Sequence, residues 1–271
     1  MDNLFPYPPG ETSFVAIGDS FTEGLNDAAP GGGYRGWADR LAGMMAAEYP
    51  ELQYANLAVR GKLLRQIVAE QVPAAVAMSP GLVSIAGGGN DIIRPGGDPD
   101  TLAELFDAAV ARLRASGCRV LMFTGADLVG FPVMRLLRGR IAAYNMHLRS
   151  IADDRGCDLV DLWSMRFLRE LSAWSPDRLH MTSQSHRRVA LRACEVLGLP
   201  VAEDWRDAPS PTSWRPPGSD GNWLAARRED ARWVREYLGP WANRRLHGVS
   251  SGDGRSAKRP QLSPVSPPIL M

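Results

Sequence analysis

Lysine is nearly missing from this sequence: Lys62 and Lys258 are the only two among 31 basic residues, so arginine carries almost all of the positive charge. Such usage fits a compositional bias of the source genome, or arginine's suitability for anions and phosphates, and both readings stay open. Cysteine is scarce too. Cys118, Cys157 and Cys194 are odd in number, far apart and without a CxxC spacing, which excludes a disulfide framework or a zinc site and leaves three buried thiols as the expectation. No run approaches the roughly 18 apolar residues of a membrane span. The chain opens Met1-Asp2-Asn3, without a basic region leading into an apolar one. Net charge is only +1, so no global field draws in nucleic acid or an anionic membrane. A cytoplasmic protein with no stable membrane insertion and no nucleic-acid partner is expected.

Several nucleotide and hydrolase signatures are also missing. "GGGND" does not complete G-x-G-x-x-G, because Ile92 occupies the third glycine position, and no G-x-x-x-x-G-K-[ST] occurs. A G-x-S-x-G elbow fails at Ser20, where the residue two further on is Thr22. His147 and His186 fall in predicted helices with no carboxylate or thiol at ligand spacing, so no metal site is expected.

What is present is an alternation. Short apolar runs at 14–17, 53–57, 82–86, 119–123 and 158–162 are separated by helix-period segments near 35–49, 62–78, 100–116, 133–155 and 183–197. Several of the runs are almost wholly apolar, as strands covered by helices on both faces must be. Gly117 and Gly156 are placed to stop the third and fourth helices. The pattern predicts an α/β fold with a doubly wound sheet of about five parallel strands over residues 13–200. In such sheets ligands bind beyond the carboxyl ends of the strands, so the strand-to-helix turns are where chemistry is sought.

Four of those turns have unusual contents. Gly18-Asp19-Ser20 follows the first strand, "NLAVRG" ending at Gly61 the second, and "AGGGND" with Asn90 and Asp91 the third; "SPDRLHMT", with Asp177 three residues before His180, precedes the last helix. Taken singly each is an ordinary turn, cap or surface histidine. Together they supply what acyl transfer by serine needs: a hydroxyl (Ser20), a base (His180), a group to orient the base (Asp177), and donors for an oxyanion in the Ser20 and Gly61 backbone N–H and the Asn90 amide. A glycine suits the middle donor, since backbone must approach substrate there.

The four blocks resemble the SGNH superfamily, also called GDSL-type esterases and lipases, named for the Ser, Gly, Asn and His that match Ser20, Gly61, Asn90 and His180. "GDSFTEG" carries Phe21 in place of the leucine of the name; Gly88-Gly89-Asn90-Asp91 fits GxND, and Asp177-Arg178-Leu179-His180 fits DxxH. The resemblance covers about residues 13–198. It implies a flavodoxin-like three-layer α/β/α sandwich and serine hydrolysis of esters or thioesters with no metal and no organic cofactor, a small-molecule ester or acylated compound being the substrate. Two alternatives stand beside it: an acyltransferase using the same nucleophile, and a non-enzymatic binding module.

Substrate selection is expected from the loops at the same sheet edge, 92–99 and 124–140. Ile92, Leu128, Phe131 and Met134 are candidates for an acyl pocket, and Arg94 or Arg135 for a polar or anionic group. Beyond residue 200 the composition shifts. Residues 201–248 form a Trp-rich helical extension holding five of the eight tryptophans, with a helix over 222–238 whose stripe of Trp223, Ala226, Asp230, Trp233, Val234 and Tyr237 is expected to pack on the core. Residues 249–271 have little to bury and read as a disordered tail. A monomer or homodimer is expected.

Overall fold

The computed structural model describes residues 12–131, 134–201, 203–207, 223–240 and 250–265. The first half comprises β1 (Ser13–Ile17), α1 (Ser20–Glu23), α2 (Gly36–Glu48), β2 (Gln53–Asn56), α3 (Leu64–Gln66), α4 (Val72–Ala77), β3 (Leu82–Ile85), α5 (Gly89–Ile92) and α6 (Pro99–Ala115). Then come β4 (Arg119–Phe123), α7 (Arg138–Arg155), β5 (Asp158–Val160), α8 (Ser183–Leu197), α9 (Trp223–Trp233) and β6 (Arg259–Pro264).

The sheet order is β5-β4-β3-β1-β2-β6. Strands β1 to β5 are all parallel, with β1 central and paired to both β2 and β3. Alternation along β1 shows how the sandwich forms. Phe14 and Ala16 point into one core with Trp37, Leu41 and Met45 of α2 and Val189 and Ala193 of α8. Val15 and Ile17 point into the other, with Phe106 and Val110 of α6 and Leu148 of α7. Both faces are therefore apolar, which is why the strand has no polar face to read. The first five strands follow the flavodoxin-like order, whose switch point lies between β1 and β3.

The helices stop where backbone chemistry dictates. α7 ends at Gly156 and α8 at Gly198, both left-handed, and α6 ends just before Gly117, with φ +89°. The predicted helix over 62–78 is interrupted. A π-turn at Ile67–Gln71 separates α3 from α4, ending two residues before Pro73, which has no N–H to give to the residue four earlier. The segment predicted helical from 133 instead begins α7 at Arg138, after a 3₁₀ turn at Met134–Leu137. Cys118 and Cys194 are buried, whereas Cys157 is half-buried.

The largest departure lies at the C-terminus. Residues 249–271 read as a disordered tail, yet Arg259–Pro264 form β6 and pair antiparallel with β2, with Gln53 opposite Pro264 and Asn56 opposite Arg259. The prolines of β6 are tolerated because it is an edge strand, where one side of the backbone needs no partner. Arg259 ties it further, donating to the carbonyl of Tyr54 at 2.9 Å. Residues 266–271 lie outside the described residues.

Candidate active site

At the carboxyl end of β1 the backbone is held from two sides. The Gly18 N–H donates to Gln71 Oε1 at 2.7 Å, and Gln71 Nε2 donates back to the Gly18 carbonyl at 2.9 Å. A Cβ on Gly18 would lie 2.6 Å from Thr22 Oγ1 and 2.7 Å from the Ala86 carbonyl, so only glycine permits this approach of β1 to β3. The π-turn places Gln71 at this bond. Asp19 then caps α1, its carboxylate accepting from the Phe21 N–H at 3.1 Å, and Ser20 begins the helix.

On the opposite rim, residues 174–181 fold back on themselves: Trp174 bridges Met181, Ser175 N–H donates to the His180 carbonyl at 2.8 Å, and Arg178 turns with φ +54°. Inside that loop Asp177 saturates its oxygens. Oδ1 accepts from the Leu179 and His180 N–H, both at 3.0 Å, and Oδ2 from Asn26 Nδ2 at 2.7 Å and from His180 Nδ1 at 2.7 Å. Burial works to raise the Asp177 carboxyl, but the bond and charge of His180 and the two backbone N–H groups hold it below its ordinary value. An ionised Asp177 fixes the proton of a neutral imidazole on Nδ1. That leaves His180 Nε2 as an acceptor, and Ser20 Oγ lies 3.1 Å from it.

Gly61 and Asn90 face the same cavity as Ser20. Asn90 Nδ2 donates to Asp19 Oδ2 at 3.0 Å and to the Lys62 carbonyl at 3.1 Å. Both amide hydrogens thus have acceptors before substrate arrives, and a substrate oxygen has to share or replace one of them. Asp19, which anchors Asn90, is itself buried. Removal from water pushes its carboxyl up to about 6, against the opposing pull of the Phe21 N–H and of nearby His180.

The cavity measures about 580 Å³, within the ~300–1,000 Å³ usual for small-molecule sites. Beyond Ser20 it is mainly apolar, with Phe21, Ile92, Phe123, Leu128, Met134 and Trp174 in its walls. Three of the expected pocket residues, Ile92, Leu128 and Met134, are thus on its surface. Phe131 is not among the lining residues: it is buried behind the wall, edge-on to Trp174 with ring centroids 5.4 Å apart. Arg94 also stays out of the lining, its carbonyl accepting from Arg140, and Arg135 is exposed on the 3₁₀ turn. His186, set aside as a helix residue, reaches the lining under the Phe21 ring and accepts from the Trp37 N–H through Nδ1; burial pushes it down to about 4. Sequence reasoning passed over Gln71 and Asn26, which carry no local motif and meet the site only through the fold.

The model of the GDSL-like lipase/acylhydrolase family matches residues 16–188. The chain belongs to that family. A serine hydrolase of ester bonds is what this membership makes it. No curated protein sequence matches the chain significantly. Solved structures similar to this GDSL-like hydrolase include LAE5, an α/β hydrolase from the metagenome of Lake Arreo, at 21% identity and TM-score 0.60, covering 71% of this chain and 97% of that one. Axe2, an acetylxylan esterase from Geobacillus stearothermophilus, is 19% identical with TM-score 0.58, covering 74% of this chain and all (100%) of the other. TesA is 22% identical with TM-score 0.58, covering 69% and 98%. At these identities the likeness concerns the fold.

Two segments of this GDSL-like hydrolase lie beyond the matched region and still touch the site. From α9, Trp233 Nε1 donates to the Asp177 carbonyl at 2.8 Å, and Asp230 pairs with the buried Arg178 at 2.5 Å. The Arg178 guanidinium also sits 5.3 Å from the Trp233 ring centre. Of the expected stripe, Trp233 is buried, while Val234 and Tyr237 are exposed. Trp214 and Trp241 lie outside the described residues. Among the described residues no helix is long and apolar enough to cross a membrane.

Proposed function

We propose that this protein hydrolyses carboxylic esters or thioesters through an acyl-Ser20 intermediate, with acyl chains longer than acetyl lying in the apolar cavity. One observation carries the reading: the chain from Asp177 through His180 to Ser20, at 2.7 and 3.1 Å, ends on a hydroxyl at the wall of a 580 Å³ cavity lined mainly by apolar side chains. His180 Nε2 takes the proton as Ser20 Oγ bonds to the acyl carbon. The resulting oxyanion is met by the Ser20 and Gly61 N–H and by Asn90 Nδ2. Asp177 stabilises the imidazolium, which passes its proton to the departing alcohol or thiol. Water then attacks the acyl-enzyme, giving a proton to His180, and Ser20 leaves as the hydroxyl when that proton returns.

The test is a series of p-nitrophenyl esters of increasing acyl length, with an acetylated sugar as a short-acyl comparison. The cavity favours kcat/KM that rises from acetyl to a medium chain, because each buried methylene contributes about 0.8 kcal/mol. Highest efficiency on acetyl esters, declining with every added methylene, would contradict the acyl-pocket assignment.

A further inference from the structure

The turn that carries Gly61 is gripped by a segment far away in sequence. A Cβ on Gly61, which has φ +74°, would lie 2.3 Å from Ser250 Oγ and 3.0 Å from Ser251 Oγ, so residues 250–251 occupy the space beside it. Contact in the other direction is as close. A Cβ on Gly252 would lie 2.0 Å from the Arg60 carbonyl and 3.1 Å from Val59 Cγ1. Ser250 Oγ donates to the Gly61 carbonyl at 3.2 Å and receives the Gly252 N–H at 3.3 Å.

Segment 250–255 has its own frame: Ser250 N–H donates to Asp253 Oδ2 at 2.6 Å, and Arg255 Nε to the Ser251 carbonyl at 3.1 Å. Its far end is fastened by Lys258. The ammonium shares its three hydrogens among the carbonyls of Glu23, Tyr34 and Arg35 and the Asp39 carboxylate, at 2.7, 3.0, 2.8 and 2.9 Å. From the opposite side the Glu23 carboxylate holds Arg60, accepting from its backbone N–H at 2.7 Å and from its guanidinium. Glu23 closes α1, the helix that Ser20 opens. Nucleophile, Gly61 turn and C-terminal segment are thus tied to one short helix, and Ser251 and Arg255 reach the cavity wall.

We propose that residues 250–258 are a clamp that positions the Gly61 N–H for the oxyanion and forms the cavity rim beside it. This rests on the ester-hydrolase reading for its catalytic consequence. Ser250, Gly252 and Lys258 are positioning residues, acting through the 59–61 turn. Loss of one oxyanion donor costs about 10²- to 10³-fold in kcat. Displacing the turn without deleting it is expected to cost about 10-fold or more.

The experiment uses the full chain with Gly252→Ala, whose methyl group is driven into the Arg60 carbonyl, and with Ser250→Ala and Lys258→Met as variants that loosen the clamp without added bulk. Hydrogen exchange over residues 57–63 is measured without substrate, and kcat and KM on an ester. Expected are faster exchange in 57–63, kcat down by about 10-fold or more in Gly252→Ala, and KM within about twofold, since an oxyanion donor acts on the transition state. A segment that merely stabilises the fold would lower the melting temperature and leave kcat per folded molecule unchanged. Wild-type exchange in 57–63, or wild-type kcat, in folded variants overturns the clamp. Should Gly252→Ala not fold, the other two decide by the same criteria. Exchange is read without turnover, so failure of the clamp is separable from failure of the hydrolase reading, which shows as no Ser20-dependent hydrolysis by the wild type.

Discussion

Asp19 is a residue whose titration should be visible in the stability of this enzyme. It is buried, it accepts from Phe21 N–H and from Asn90, and its carboxyl is raised from 3.8 to about 6. Below pH 3.8 both folded and unfolded chains keep the proton. As pH rises from there the unfolded chain releases it while the folded chain holds it until about 6, so the folded state loses stability across that window and the loss levels off above it. A tenfold difference in proton affinity between the two states is worth ~1.36 kcal/mol, giving about 3 kcal/mol in total, of which roughly 2 kcal/mol falls between about pH 4.5 and pH 7.5. Asp19→Asn cannot ionise and lacks this pH dependence. Its own cost is a donor placed against the Asn90 amide, about 1 kcal/mol and independent of pH. Urea unfolding of both proteins at several pH values, compared by difference, cancels the titration of groups that do not interact with Asp19, leaving His180 and Asp91 as the charged neighbours. The variant should gain about 2 kcal/mol on the wild type over the window; a flat difference would refute the reasoning that burial dominates at Asp19.

Other expectations follow from the same contacts. Ser20→Ala and His180→Ala should each remove about 10³-fold or more of the ester hydrolysis rate with the fold intact, and Asp177→Ala about one to two orders of magnitude less, because these residues act as a unit; steady-state kinetics with circular dichroism decides. Gln71→Leu orphans the Gly18 N–H, whereas the Gly18 carbonyl keeps the Val59 N–H at 3.3 Å; urea stability should fall by about 1–3 kcal/mol, and an unchanged stability would show that the Gly18 N–H finds another partner. Removing residues 250–271 strips β6 from β2 and leaves a bare edge, so melting temperature and solubility should both fall; an unaffected truncated protein would mean that β6 contributes nothing.

The parts of this molecule that could be read from the sequence are those where local chemistry and tertiary role coincide. Phe14 to Ile17 are apolar at every position because β1 is covered on both faces, and Gly18-Asp19-Ser20 marks the strand end because backbone approach, cap and proposed nucleophile fall on successive residues. Asp177 and His180 share one loop, so their spacing survives in the chain. What escaped reading depends on distance. Gln71 meets Gly18 across 53 positions through a π-turn that no periodicity announces. Segment 250–264 has the prolines and serines of a solvated tail, and the free edge of β2, the 59–61 turn and the acceptors around Lys258 give it a place. Phe131 failed as a pocket residue because an aromatic in a loop at the correct edge can equally pack behind the wall as on it.

The central claim is that Ser20 forms the acyl bond, and labelling measures this directly. A fluorophosphonate probe followed by peptide mass spectrometry should find one adduct per chain, on Ser20, none in Ser20→Ala, and much slower labelling in His180→Ala. An enzyme that hydrolyses esters while Ser20 stays unlabelled, or that keeps its turnover once Ser20 is fully modified, would contradict the account.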